Sequence, residues 1–163
     1  MKHILSTFAL GALLFSCGGS KSTVNDLATA NPIVTSINLS SVQDDKAPVV
    51  INPGRFTEET VTYRLPKVIQ GTYSISNFGK YVDDFKALDY KGNELTATKV
   101  DDNTWTIADA TNLDKIEYMV NDTFDQEAVG GIGGEQPFSP AGTNIEPDNS
   151  VLNLHGFIGY FDT

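Results

Sequence analysis

The sequence predicts an all-β protein, an antiparallel β-sandwich of meandering hairpins with little helix. Three observations lead there. Apolar residues alternate with polar ones over several short runs, such as Trp105 and Ile107 among threonines. Clusters of Asp, Asn and Gly separate those runs and supply turn chemistry. No stretch carries an apolar stripe at helical spacing for useful length. An apolar face built in this way has to be covered by a second sheet.

Taken in order from Pro32, Ile33, Ile37 and Leu39 fall on one face of an extended segment, Gln43-Asp44-Asp45-Lys46 forms a turn, and Val49 with Ile51 opens a return strand. Thr60 to Leu65 is a strand with Val61, Tyr63 and Leu65 alternating, and Pro66 confines it to an edge or a strand end. Val68 to Ile75 reads as a short extended piece. Asn77 to Asp84 suits one turn or a short helix with Asn77 as its cap. Phe85 and Ala87 then share a face, Asp89 to Asn93 turns the chain, and Leu95 with Ala97 resume the same parity on the next strand. Asp101-Asp102-Asn103 turns it again before Trp105 and Ile107, and Ile116, Tyr118 and Val120 mark a further strand. This run reads as a single meander with one apolar face, and Trp105 belongs to the interior because it alternates with Ile107.

Asp125 to Ser150 differs in kind. Gly130-Gly131-Ile132-Gly133-Gly134 and three later prolines make a long loop, read as a mobile surface excursion between two strands with a lid as the functional alternative. A phosphate cradle is disfavoured by the missing Gly-Lys-Ser/Thr and the missing full dinucleotide fingerprint.

The start of the chain speaks to compartment. Residues 1–16 have the layout of a secretory signal, with Lys2 at the start and an apolar run from Ile4 to Phe15 that is short for a membrane span. Leu14-Phe15-Ser16-Cys17 resembles the lipobox of bacterial lipoproteins, which makes Cys17 the expected lipidation site and the membrane the expected partner through that anchor. Cys17 is also the only cysteine, so no disulfide can form within the chain. Residues 17–31 lack hydrophobic period and read as a tether whose root-mean-square span is on the order of 20 Å. Residues 32–163 then form one β domain. The expected location is the cell envelope, lipid-anchored and periplasm-facing, since no acids follow Cys17 directly. Eleven basic residues against twenty-one acidic ones give a net charge of −10, with the acids spread through turns, and that balance argues against nucleic acid as a partner.

The search for catalytic groups returns mostly absences. Histidine occurs only at His3, inside the leader, and at His155. One mature histidine and one acylated cysteine supply neither a zinc pair nor a Cys-His dyad, and no Gly-x-Ser-x-Gly elbow accompanies His155. We therefore read His155 as a half-exposed strand histidine, and expect no catalytic, cofactor-binding or metal residues in this chain. Asp83-Asp84, Asp101-Asp102 and Asp122 with Asp125 raise the alternatives of an acid-base pair or a calcium site. Neighbouring strand residues point to opposite faces, and the spaced calcium loop is missing, so solvated turns are the favoured account.

Several segments together resemble one family. They are Val68 to Ile75, Phe85 to Asp89 with the turn to Gly92, Asn103 to Ile107, Ile116-Glu117-Tyr118, and the ending Asn153 to Tyr160. They are similar to the N-terminal domain of M61 glycyl aminopeptidase-like metallopeptidases, and the likeness runs through most of the mature chain. Gln70 departs from it, since the family usually has proline there. The resemblance implies a non-catalytic β domain that packs on a thermolysin-like catalytic domain and helps wall its substrate cleft. It further implies that zinc and its His-Glu-x-x-His ligands belong to that domain, beyond Thr163, so that this chain is a truncated product or a fragment. On this picture the loop residues Gly130, Gly131, Gly133 and Gly134, and His155, Gly159 and Tyr160 from the last segment, lie nearest the cleft. The alternative is a stand-alone periplasmic lipoprotein that binds protein or glycan, with Trp105 and exposed tyrosines as contacts.

Overall fold

The structure, a computed structural model, describes residues 32–71, 74–124 and 142–162. Among these, short strands follow one another with only single turns of 3-10 helix between them: β1 (Val34–Ile37), β2 (Lys46–Asn52), β3 (Thr60–Arg64), β4 (Val82–Asp89), β5 (Glu94–Leu95), β6 (Ala97–Asp101), β7 (Thr104–Ala108), β8 (Leu113–Asn121), β9 (Asn144–Ile145), β10 (Ser150–Val151) and β11 (Tyr160–Asp162). One sheet has the order β1-β2-β8-β4-β5, a second β11-β3-β7-β6, and β9 with β10 forms a small hairpin. Every pairing is antiparallel. The all-β expectation holds.

Alternation decides what each sheet buries. Ala47, Val49 and Ile51 of β2 are buried while their neighbours are half-buried, and Leu113, Ile116, Tyr118 and Val120 do the same on β8. From the second sheet come Val61 and Tyr63 of β3 with Trp105 and Ile107 of β7. All of them meet in one core cluster. Its centre is aromatic. Phe85 of β4 stacks on Trp105 at 4.7 Å between ring centroids and on Tyr118 at 5.9 Å, so rings from both sheets interleave.

The turns follow from local chemistry. Asp44 and Asp45 take φ of 50° and 58° between Gln43 and Lys46, which bond to each other through their backbones. Two left-handed central residues match the twist of a tight hairpin, and Asp tolerates that conformation. At the β4–β5 turn the Asp89 carboxylate accepts from the backbone N–H of Lys91 and of Asn93, both at 2.8 Å.

Several sequence expectations need correction. The run from Phe85 to Val120 is not one meander in one sheet. β4, β5 and β8 lie in the first sheet and β6 and β7 in the second, and the chain changes sheets at Thr96, whose carbonyl accepts from Ala108. Leu95 and Ala97 keep one parity because both still face the core across that step. Leu39 sits in a 3-10 turn and is exposed, as is Ile33, so only Ile37 of that trio packs on the core. Residues 68–71 form no strand, and Lys67 instead returns to Ser76 and Asn77 through its carbonyl. Asn77 does precede a 3-10 turn, Phe78–Tyr81, but in a left-handed conformation with no capping bond of its own. Asn103 does that work from the β6–β7 turn: its Oδ1 accepts from Gly79 N–H and its Nδ2 donates to Asn77 Oδ1. Pro66 lies just past the end of β3, as the strand-end alternative required.

A bulge sets the aromatic centre. β4 shifts register between Asp83 and Lys86, and Asp84 takes a left-handed φ of 53°. That extra residue carries the inward parity from Val82 to Phe85 and Ala87. Substitution at Asp84 should therefore follow backbone preference. Asp84→Gly should leave stability within about 0.5 kcal/mol or raise it, while Asp84→Val should cost about 2 kcal/mol, because a β-branched residue resists φ above zero. Phe85→Ala should cost about 3–5 kcal/mol as a core truncation. Urea denaturation of the three variants measures all of these.

Candidate functional site

The last twelve described residues carry His155, Gly159 and Tyr160 of those the sequence nominated, and two tyrosines hold this segment. Tyr63 on β3 and Tyr118 on β8 face each other from opposite sheets with their hydroxyls 2.8 Å apart. Tyr118 donates to the Phe157 carbonyl, and the Gly159 N–H donates to the Tyr63 hydroxyl. Tyr118 spends its proton on Phe157, so Tyr63 must donate to Tyr118. The bonds run Gly159, Tyr63, Tyr118, Phe157 in one direction, starting and ending on the same segment. Burial pushes both phenols up, Tyr63 to about 12 and Tyr118 further, because a phenolate there would lose its water.

Gly159 fits for a steric reason. A Cβ there would meet the Arg64 carbonyl at 2.1 Å and the Tyr63 ring at 2.7 Å. The bare backbone lets β11 lie against β3, with Tyr160 opposite Arg64 and Phe161 opposite Tyr63. Phe161 packs on Phe56 and Tyr63, each at 5.0 Å, while Tyr160 stands 54% exposed.

Tyr160 borders a cleft of about 310 Å³ whose other walls are Arg64, Lys67, Asn77, Asp101 and Asp102. Leu65, Asn103 and Thr104 complete it. The Arg64 guanidinium is fixed by Nη1 donating to Thr104 Oγ1 at 3.1 Å and by Nε meeting Asp162 at 3.3 Å. Asp101 stays below the usual carboxylate range, first because Asn103 N–H donates to it, then through Thr104, with Arg64 and Lys67 adding attraction. Two cations and two anions thus line one polar cleft.

The remaining nominated residues divide. His155 lies in a 3-10 turn, Leu154–Gly156, rather than in a strand, because Asn153 Oδ1 caps that turn by accepting from His155 N–H at 3.1 Å. Its ring Nδ1 contacts the same oxygen at 3.0 Å, and the side chain is exposed. Gly130, Gly131, Gly133 and Gly134 lie outside the described residues, as does Cys17. Where the chain leaves for that loop, Asp122 is buried and accepts from the N–H of Phe124 and of Ile145. Thr123 and Thr143 bond to each other beside it. Asp122 is therefore a structural clamp. Asp83 pairs with Lys46 at 2.7 Å, which holds its carboxyl low, and Asp84 serves the bulge. Trp105 is 3% exposed and packs in the core, so it is no ligand contact.

Among the described residues no three His, Cys, Asp or Glu side chains gather where they could hold a metal ion. The sequence contains no His-Glu-x-x-His either. The zinc that a metallopeptidase uses does not fit the residues described here.

Comparison with known proteins bears on this arrangement. The family model described as the peptidase M61 N-terminal domain matches residues 35–163. The chain belongs to that family. This M61 N-terminal domain also aligns with the crystal structure of an aminopeptidase N family protein from Idiomarina loihiensis, at a TM-score of 0.51 and 22% identity. The alignment covers 59% of this chain and 16% of that one, and at such identity the likeness is one of fold. No curated protein matches.

Sequence reading nominated Gly159 and Tyr160 of this M61 domain for another reason, nearness to a catalytic domain's cleft, and missed Arg64, Tyr63 and Tyr118, which organise the segment that carries them. A buried strand tyrosine has the pattern of any core residue, so only its partner across the sandwich gives it a role.

Two outcomes follow for the tyrosine bridge. Tyr63→Phe and Tyr118→Phe should each cost about 1–3 kcal/mol by stranding a buried partner. The double variant should cost less than their sum by on the order of 1 kcal/mol, as chemical denaturation can show. Both phenols titrate higher when folded than the ordinary value of about 10, so their contribution is complete below pH ~10 and fades as pH rises towards Tyr63's value of about 12. The slope should approach about 1.4 kcal/mol per pH unit per tyrosine and vanish in the double Phe variant, which leaves the lysines as a background common to both.

Proposed function

We propose that this domain is the non-catalytic N-terminal part of an M61-like zinc aminopeptidase, packing on a catalytic domain and helping to wall its substrate cleft. The observation that carries the reading is the family match over residues 35–163. The chemistry of the chain supports it. Neither a nucleophile-base pair nor a zinc-binding motif stands in the sequence, while the last segment is bolted to both sheets and presents exposed side chains, Leu154, Ile158 and Tyr160. Zinc, on this reading, is held by the catalytic domain, where it supplies an activated water for peptide hydrolysis. A lipid on Cys17 ties the protein to an envelope membrane, facing the periplasm.

The test is a domain exchange. In a full-length M61 enzyme whose own N-terminal domain is replaced by residues 32–163 of this chain, kcat/KM for peptides should stay within about tenfold of the parent, as wall contacts are individually worth about 1 kcal/mol. A chimera no better than the isolated catalytic domain sinks the proposal. In that chimera, replacing Gly130 to Gly134 by a short turn should change KM if the loop borders the cleft; unchanged kinetics remove it. For the anchor, fatty-acid label should enter the wild-type chain and be lost with Cys17→Ser, together with sedimentation in the membrane fraction.

A further inference from the structure

The cleft beside Tyr160 has a character that packing on a catalytic domain does not call for. Register places Tyr160 opposite Arg64, Arg64 opposite Thr104, and Thr104 opposite Asp101. These four residues therefore make one row across β11, β3, β7 and β6, about 14 Å long at the usual strand spacing. The length suits a short oligomer laid across the strands.

Charge narrows the class. Arg64 and Lys67 face Asp101 and Asp102 within one cleft. A charged ligand would gain from one pair what it loses to the other. A neutral ligand rich in hydroxyls meets no such conflict, since each hydroxyl both donates and accepts. The groups such a ligand needs are in place. Arg64 is held in position by Thr104 and Asp162 and still has N–H donors beyond those two bonds. Among the described residues, Lys67 Nζ and the Asp102 carboxylate engage in no hydrogen bond.

The aromatic wall points the same way. Tyr90 is equally exposed, but the Arg55 guanidinium sits over its ring at 5.6 Å. Among the described residues none covers Tyr160 in this way. An uncovered ring can take the C–H face of a sugar, whose apolar side seeks an aromatic surface while its rim bonds to polar groups. Among the described residues that line the cleft no apolar hole for a peptide side chain opens, because Leu65 is only 3% exposed.

We propose that the cleft bounded by Tyr160, Arg64, Lys67, Asn77, Asp101 and Asp102 is a binding site for a neutral oligosaccharide, with Tyr160 as the stacking platform. The proposal goes beyond the peptidase reading and stands or falls separately from it.

Isotope-labelled full-length protein in a non-glycosidic detergent tests it by amide chemical shifts, titrated with maltotriose, cellotriose and tri-N-acetylchitotriose. At least one trisaccharide should bind with a Kd on the order of 1 mM, moving amides at Arg64, Asn77, Asp102 and Asn103. Tyr160→Ala should weaken binding about tenfold and Tyr160→Phe hardly at all, since stacking needs the ring and not the hydroxyl. Unshifted amides in the first sheet verify that both variants fold. The proposal is overturned if no trisaccharide moves these amides, if Tyr160→Ala binds as wild type, or if triglycine moves them as strongly as the sugars do. Peptidase activity of the chimera described above is independent of each result.

Discussion

The last segment of this domain is held by a hydrogen-bond chain with a direction: Gly159 N–H to Tyr63, Tyr63 to Tyr118, Tyr118 to the Phe157 carbonyl. Both hydroxyls are buried, so each bond is one that solvent cannot replace, and an unpaired phenol in that place would cost more than a formed bond contributes. Tyr63 belongs to one sheet and Tyr118 to the other. The same contact therefore joins the two sheets and fastens the chain end to both. β11 can add to the edge of β3 only with that segment in place, and with β11 comes the position of Tyr160.

The acidic pairs that stood out in the sequence turn out to be local devices. Asp89 closes a turn, Asp84 takes a bulge, Asp122 clamps the root of a loop, and Asp83 pairs with Lys46. Asp101 and Asp102 are the exceptions that reach a cleft, and they do so in company with Arg64 and Lys67.

The aromatic centre shows how narrowly such an arrangement is fixed. Phe85 stacks between Trp105 and Tyr118 because the bulge at Asp84 turns it inward. Without that extra residue, every side chain beyond it would move to the other face. Lys99, on the outer edge strand β6, folds back over Trp105 at 5.0 Å and donates to the Gly79 carbonyl. A lysine turned inward on an edge strand also discourages pairing with a second chain.

By itself the sequence determined the class of fold, the alternating core of β2, β3, β7 and β8, the turns at Asp44-Asp45 and Asp89 to Asn93, and the burial of Trp105. These are readable because period and turn chemistry are local properties of the chain. It also carried the family likeness, in segments spread along most of its length. Only the tertiary structure decided that the central run divides between two sheets at Thr96, that His155 sits in a capped turn, that Asn103 rather than Asn77 caps the 3-10 helix, and that Arg64 joins Tyr160 and Asp101 in one cleft. The reason is the same in each case: those facts depend on which strand lies beside which, and partners such as Tyr63 and Tyr118 are 55 residues apart in the chain.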